Sequence, residues 1–468
     1  MGSSPRKGNL FLLFPKIDQL VYLFMSLEVL SQLRSGQLKA SWKITIGADL
    51  AEFPPEILEL APTLEVLDLS NNRLRSLPDD FDRLQNLKIL FLSQNEFDHS
   101  PEVLGRCSQL SMVGFKANRI RVVSGASLPP LLRWLILTDN AIEELPPQIG
   151  QLKSLQKLML AGNQLKVLPQ EIINCTNLEL IRLAANQLNV LPEWLLTLPK
   201  LSWLAFGGNL GQAFKLQTPI DIPWRDLTLG DRLGEGASGI IHRAVWQNDG
   251  TILDVAVKIF KGAVTSDGLP ESEMQACLAA GSHENLVGVL GQIVNHPSGQ
   301  RGLVLPLLDR EFEILGRPPN FESCTRDTFE SHRTFTPSLI LKIAQGIASA
   351  AAHLHDRGIS HGDLYAHNIL VNRSGKPVLS DFGAASLYEP GSALGLKLEQ
   401  LEVRAFGCLL EDLLDRCLEN EPVLMLRQLQ QSCLQPSPFL RPTFRLILRQ
   451  LTDRQLYLKN YHQTMSAY

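Results

Sequence analysis

Leu64-Glu65-Val66-Leu67-Asp68-Leu69-Ser70-Asn71-Asn72 decides the first half of the fold. Leucines two apart on an extended chain point to one face, so Leu67 and Leu69 bury together on a short strand. The asparagine that closes the run carries an amide able to satisfy backbone groups at a turn, where no sheet partner exists. The same LxxLxLxxN spacing places asparagines at Asn95, Asn118, Asn140, Asn163, Asn186 and Asn209, at intervals of 23, 23, 22, 23, 23 and 23 residues. A single coil of this kind cannot bury its own face, so neighbours stack into a solenoid with one continuous core.

Working outward, Ile44-Thr45-Ile46 reads as the strand of a degenerate opening coil, and Phe53-Pro54-Pro55-Glu56-Ile57 as the turn away from it. Pro78, Pro146, Pro169 and Pro192, each after a leucine, begin the return along the convex side. The residues that alternate with the buried leucines face the hollow of the arc. They include Val66, Ile89, Phe91, Met112, Trp134, Ile136, Met159, Leu180 and Trp203, interleaved with Asp68, Lys116, Lys157 and Arg182. Large apolar groups on a concave face read as a protein-docking surface. Half-burial between adjacent strands is the other reading. Residues 1–24 have no place in this pattern, and Met25 to Leu33 reads as a short helix at the start.

The bulk numbers are those of ordinary globular protein. Of 468 residues, 44% are hydrophobic and 20% charged, so two or three domains are expected. A net charge of −4 gives no support for a nucleic-acid or anionic-membrane partner. Seven scattered cysteines, an odd count with no CxxC pair, indicate neither a disulfide framework nor a zinc site and fit a reducing, cytoplasmic location. The apolar stretch Asn9 to Leu30 is broken by Pro15, Lys16, Asp18 and Gln19, which suits neither a signal core nor a membrane span. Arg6 stands where a myristoylation signal needs Ser or Thr.

The period stops after Asn209, and the boundary is expected near residue 217, before a second domain. There Leu229 to Leu233 reads as a strand, followed by Gly234-Glu235-Gly236-Ala237-Ser238-Gly239 and another strand from Ile240 to Trp246. Strand rather than helix after the glycines argues against a dinucleotide fingerprint. A glycine hairpin lets backbone amides lie directly over phosphates. Val255-Ala256-Val257-Lys258 then sets an ammonium inside an apolar strand, where it needs anionic partners: nucleotide phosphates, and Glu273 or Glu271 in the helix that follows. His361-Gly362-Asp363-Leu364-Tyr365-Ala366-His367-Asn368 precedes Leu379-Ser380-Asp381-Phe382-Gly383. Asp381 and Asn368 can give oxygen ligands to Mg²⁺, and Asp363 can take the proton of an incoming hydroxyl.

These motifs, in this order, resemble the protein-kinase family over residues 224 to about 455, and residues 36–216 resemble the leucine-rich-repeat family. The close joining of the two is similar to leucine-rich-repeat kinases of bacteria and some plants and algae. The resemblance implies an α/β solenoid, a leucine-rich-repeat horseshoe, followed by a bilobal α+β kinase-like domain. Its parts would be an extension and helix at 1–35, repeats at 36–216, the kinase-like domain at 217–458 and a tail at 459–468. It implies ATP and Mg²⁺ as cofactors. Asp363 would be the catalytic base, Lys258 and Glu273 the phosphate-holding ion pair, and Asn368 and Asp381 the metal ligands. Leu233, Gly234, Glu235, Gly236, Ala237, Ser238, Gly239, Ile241, Ala256, Lys258 and Leu305 would line the nucleotide site. Glu402 to Gly407 would start the large C-lobe helix, and Arg441 would be buried, with Glu389 its suggested partner.

The departures matter as much. Gly362 stands where most of the family has arginine, only 21 residues separate Asp381 from Glu402, and Tyr365 stands where Ser/Thr kinases commonly place lysine. Ser386, Tyr388 and Ser392 are phosphosite candidates on the short segment, and Asp309 to Thr336 reads as an extended loop. The expectation is an ATP-dependent protein kinase, Ser/Thr favoured on base rate, whose repeats recruit a protein partner. A pseudokinase scaffold that binds nucleotide only structurally is the alternative.

Overall fold

The structure is a computed structural model that describes residues 25–210, 220–236, 238–248, 250–261, 265, 267–418 and 423–452. The expectations for residues 1–24, the boundary near 217, Ala237 and the tail at 459–468 lie outside the described residues. The chain divides into two compact units, Met1–Leu152 and Lys153–Tyr468. The division falls inside the repeat array, so the last three repeat strands share a unit with everything after them.

In the first unit, helix α1 (residues 25–34) precedes five parallel strands: β1 (Lys43–Thr45), β2 (Val66–Asp68), β3 (Ile89–Phe91), β4 (Met112–Gly114) and β5 (Trp134–Ile136). Short 3₁₀ turns such as Pro55–Leu60 and Pro147–Gln151 carry the convex side, with proline at their first positions. The leucine ladder is buried, with Leu67, Leu69, Leu90 and Leu92 all at 0% exposure. The asparagines do the work assigned to them. Asn72 Oδ1 accepts from the N–H groups of Ala48 and Leu50 at 3.0 and 2.9 Å, while its Nδ2 donates to the carbonyls of Ile46 and Leu69, both at 2.8 Å. Each repeat is thereby stitched to the one before it.

The second unit continues the pattern in β6 (Lys157–Met159), β7 (Leu180–Arg182) and β8 (Trp203–Ala205), again parallel. A six-stranded sheet follows. It is built from β9 (Asp221–Pro223), β10 (Leu227–Glu235), β11 (Gly239–Asn248), β12 (Thr251–Phe260), β13 (Gly291–Val294) and β14 (Gly302–Pro306), in the order β10-β11-β12-β14-β13-β9. Helix α2 (Pro270–Ala280) is inserted between β12 and β13. The C-terminal lobe holds β15 (Glu313–Ile314), α3 (Pro337–Asp356), β16 (Ile359–Ser360), β17 (Ile369–Val371), β18 (Pro377–Leu379) and β19 (Ser386–Leu387). It ends with α4 (Ala393–Leu414), α5 (Leu424–Cys433) and α6 (residues 444–452).

Two expectations are corrected here. Glu402 does not start the large helix but lies in its middle: α4 begins at Ala393, because Ser392 Oγ caps it by accepting from Gly395 N–H at 3.1 Å. Arg441 is buried as expected, but Glu389 is not its partner. Its guanidinium donates to the carbonyls of Gln435, Gln400, Pro199 and Pro436 at 2.8, 3.1, 3.0 and 3.4 Å.

Candidate active site

Strand β12 pairs with β11 and β14, which puts Lys258 opposite Ile241 and Leu303 on a covered sheet. Lys258 is buried, and its ammonium would be costly there alone. Helix α2 supplies the counter-charge. Pro270 opens it, and Glu271 and Glu273 occupy its first turn, where the helix dipole favours carboxylates. Glu273, itself buried, forms the ion pair with Lys258, whereas Glu271 is exposed and pairs with Arg301. The residue pattern alone left those two open, the family resemblance pointed to Glu273, and the structure has Glu273 in the pair.

A second anion comes from the loop after β18. Asp381 Oδ1 lies 3.5 Å from Lys258 Nζ and accepts from Gly383 N–H at 3.1 Å. Asp381 sits at φ +57°, in the left-handed region that aspartate tolerates better than most residues. Burial works against the ammonium of Lys258, but Asp381 and Glu273 outweigh it and hold the lysine protonated well above its usual range. Burial likewise pushes the Asp381 carboxyl up, and Lys258 with the Gly383 N–H more than reverses it.

The loop between β16 and β17 presents Asp363 and Asn368. Asn368 Nδ2 donates to the carbonyl and to Oδ2 of Asp363 at 2.9 and 3.0 Å. Its own carbonyl accepts from Ser380 N–H at 2.8 Å, tying this loop to the Asp381 loop. The buried carboxylate of Glu402 holds the loop from beneath, accepting from Gly362 N–H at 2.7 Å, His361 N–H at 3.3 Å and His355 Nε2 at 2.7 Å. Asp327, from the extended 309–336 segment, braces the far end. Its Oδ2 accepts from Ala366 N–H at 2.5 Å, and its Oδ1 meets His367 Nδ1 at 2.6 Å.

The glycine hairpin lies between β10 and β11, closed by Gly236 N–H to the Gly239 carbonyl at 2.9 Å. Open space surrounds the position of a Cβ on Gly234 or Gly236, so their backbone amides are approachable. Gly239 is different: a Cβ there would stand 2.6 Å from the Ile259 carbonyl oxygen. Ala256 and Leu305 are cross-strand partners on β12 and β14, and Ala256 is buried. Leu233 is half exposed at the hairpin, Ser238 is buried, and Glu235 pairs with Arg232 and Lys261.

The donor set fits a hard, oxygen-seeking cation. Asp381 brings a carboxylate whose side chain is 44% exposed, and Asn368 has both amide hydrogens spent on Asp363, leaving its oxygen as the free function. Among the described residues no group of three or more His, Cys, Asp or Glu could hold a metal by itself. Two protein oxygens completed by phosphates and water are what Mg²⁺ accepts.

The repeats also reach this site. Arg182, on β7, is only 2% exposed and donates through all three nitrogens: Nη2 to Asp363 Oδ1 at 2.5 Å, Nη1 to the Gly362 carbonyl at 3.2 Å and Nε to Asp267 Oδ1 at 2.8 Å. Burial opposes its charge, yet Asp363 and Asp267 together hold it above the ordinary arginine range. Trp203, on β8, stacks on Tyr365 with ring centroids 4.2 Å apart and planes at 8°, and its Nε1 donates to the Leu364 carbonyl at 3.1 Å. The N–H groups of Phe206 and Gly207 donate to Ser386 Oγ at 2.9 and 3.1 Å. Ala161, Ala184, Ala205 and Ala384 form a small buried cluster at the seam.

Trp203 is therefore not open to a partner, as the concave-face reading expected; it is 1% exposed against this chain's own loop. Two of the three phosphosite candidates are likewise buried. Ser386 receives the two repeat N–H groups, and Tyr388 Oη lies 2.6 Å from His355 Nδ1. Ser392 is the cap of α4. Arg182 was legible only as a concave-face residue, and Asp267, Asp327 and Glu402 carried no motif that marked them for the site.

A bilobal fold with this ion pair, hairpin and pair of loops defines a protein-kinase domain. Known proteins agree. The protein tyrosine and serine/threonine kinase family matches residues 227–401, and the leucine-rich-repeat family matches 62–120, 130–188 and 153–210. A calmodulin-binding receptor kinase of Arabidopsis thaliana is 30% identical over 39% of this chain and 28% of its own length. A serine/threonine-protein kinase of the same plant is 29% identical over 36% of this chain and 19% of its own. A Helianthus annuus protein named for serine/threonine kinase activity is 30% identical over 40% of this chain and 75% of its own. The chain thus spans well under half the length of both Arabidopsis relatives. The chain belongs to the protein-kinase family and carries leucine-rich repeats ahead of its kinase domain. Among the described residues no helix is long and apolar enough to cross a membrane.

Proposed function

We propose that the chain transfers the terminal phosphoryl group of ATP to protein hydroxyls, serine or threonine in preference to tyrosine. The observation that supports this best is the convergence of Lys258, Glu273 and Asp381 on one side of a cleft with Asn368 and Asp363 on the other. In this reading Asn368 and Asp381 hold Mg²⁺, Lys258 holds the phosphates, and the hairpin amides of Gly234 to Gly239 cover them. Bound Mg-ATP supplies the phosphoryl group and neutralises part of its charge. Asp363 aligns the hydroxyl and takes its proton as the oxygen bonds phosphorus and the bond to the ADP oxygen breaks. The domain limits assigned from the sequence, and a cytoplasmic location, which suits a chain whose seven scattered cysteines include no CxxC pair, belong to the same proposal.

Incorporation of labelled phosphate from Mg-ATP tests it. Lys258→Met and Asp363→Ala should each remove activity, while Asp363→Ala keeps ATP binding. No incorporation by the unmutated protein, with nucleotide bound, would instead support a non-catalytic scaffold. That second reading has its own observation: both oxygens of Asp363 already accept hydrogen bonds, from Arg182 and Asn368, and only the short 381–392 segment separates the Asp381 loop from α4. Recruitment of a protein partner by the repeats is part of the same proposal.

A further inference from the structure

Arg182 is a buried cation in a place that no kinase motif of this sequence accounts for. Its loop neighbours are uncharged where they face it: Gly362 has no side chain and Tyr365 is covered by Trp203. The guanidinium is the charged group that the loop's own residues 362 and 365 do not provide beside Asp363. Its planar fork is fully used, with one arm on the base, one on the adjacent carbonyl and one on Asp267 in the segment before α2. Asn368 meets the other oxygen of Asp363, so the carboxylate is held from both sides.

We propose that Arg182 is a positioning residue of the phosphotransfer site, delivered from the repeat array to fix the orientation of Asp363. The inference rests on the kinase reading above and deepens it: the catalytic domain is completed by its solenoid. Three observations make the contact a built part of the site rather than a removable cover. Strands β6 to β8 share one compact unit with the kinase domain. Pulling Arg182 away would strand Asp363 and Asp267 without the cation that pairs with them. Gly362 adopts φ +71°, and a Cβ there would stand 2.6 Å from the carbonyl oxygens of both Leu204 and Ala384, so the loop is shaped around the repeat strand.

Steady-state kinetics on the full chain tests this, with Arg182→Ala, Arg182→Met and Arg182→Lys beside the unmutated protein. A base displaced by about 1 Å loses about a hundredfold in rate, so kcat should fall by about that factor in the alanine and methionine variants. The KM for ATP should stay constant, since Lys258, Asp381 and the hairpin are untouched. Lysine should restore part of the rate, and added guanidinium chloride at low millimolar concentration should rescue Arg182→Ala, with sodium chloride as the control. Asp267→Asn keeps the Arg182–Asp363 pair and loosens one arm of the fork; a few-fold fall in kcat is expected, a readout that holds even if the Arg182 variants melt early. Variants as fast as or faster than the unmutated protein would overturn the proposal and make Arg182 a restraint on the base. So would a loss of kcat that neither lysine nor guanidinium repairs and that travels with lost ATP binding, the mark of a structural role alone. If no form of the protein turns over while all bind Mg-ATP, the kinase reading itself fails and the proposal falls with it.

Discussion

Replacing Gly362 with arginine would restore the family's commoner motif, and the structure says that the repair should do harm. Gly362 stands at φ +71°, where a side chain costs about 1–2 kcal/mol. Its Cβ would meet the Leu204 and Ala384 carbonyl oxygens at 2.6 Å, and both are backbone atoms that cannot swing aside. Crowding of that kind adds about 1–3 kcal/mol. Loss of glycine's freedom in the unfolded chain returns about 0.4–1 kcal/mol. The net expectation for Gly362→Ala is a loss of about 1–5 kcal/mol, and Gly362→Arg should lose at least as much, since it also sets a second guanidinium beside Arg182. With about 2.1 cal/mol/K of unfolding entropy per residue, about 3 kcal/mol in a unit of this size is a fall of about 5 °C in Tm. Urea denaturation gives the direct comparison, with the midpoint falling at unchanged m-value. A Gly362→Ala protein within about 0.5 kcal/mol of the unmutated one would refute the packing described here. A Gly362→Arg protein with raised kinase activity would refute the idea that the repeat strand belongs in that space.

Two further outcomes follow from the same seam. Lys157 is buried beside Arg182, donates to the Cys324 carbonyl at 3.3 Å, and is pushed down from 10.5 to about 8 by burial first and by Arg182 second. The unfolded chain therefore binds the extra proton between those values, stability rises with pH across that window, and below it the fold carries a penalty of up to about 3 kcal/mol. Lys157→Met should be the more stable protein at pH 7, with the gap closing by about pH 10.5; a gap that does not change with pH would contradict this. Asp327→Asn removes the charge that braces Ala366 N–H and His367, charge-assisted bonds worth about 1.5–3 kcal/mol each. It should lower kcat about tenfold or more at constant ATP affinity, and unchanged turnover would show that the 309–336 segment does not support the loop.

How much of this could be read from the chain alone differs sharply by kind of feature. The repeats were legible because their period is local: each asparagine serves backbone groups of its own coil and the one before, so a fixed spacing carries the whole instruction. The chemical positions were legible for the opposite reason. Lys258, Asp363, Asn368 and Asp381 are polar residues embedded in apolar strands, an arrangement with no place in a core. Glu273 rather than Glu271 came from the family resemblance, since the residue pattern by itself does not give the direction of each side chain on α2. Close joining of the parts was legible, but not the residues that make the joint. Arg182 and Asp363 are 181 positions apart, and Trp203 and Leu364 are 161 apart, with no pattern linking them. So Trp203 read as a docking residue or as one half-buried between strands when it is the cover of Tyr365, and Gly362 read as an absent arginine when it is a space for β8.

Two departures from the kinase pattern and the large side chains in the hollow of the repeats therefore have a single physical cause. Taken one at a time, the missing arginine and the short segment after Asp381 suggest a non-catalytic scaffold, and the large side chains suggest a docking surface. Taken together they are two halves of one surface. Gly362 admits the Leu204 carbonyl; Ser386, on that short segment, receives Phe206 and Gly207 N–H; and the alanines at 161, 184, 205 and 384 let the two backbones approach. A longer segment after Asp381 would have to share the space that Trp203 and Arg182 fill, and an arginine at 362 would compete with Arg182 for Asp363. Changing either side of this surface alone would leave a buried charge unpaired or a backbone clash unrelieved. Lys258 pairs with Glu273 and Asp381, Asn368 bonds Asp363, and the repeats supply the remaining cation, Arg182, to Asp363.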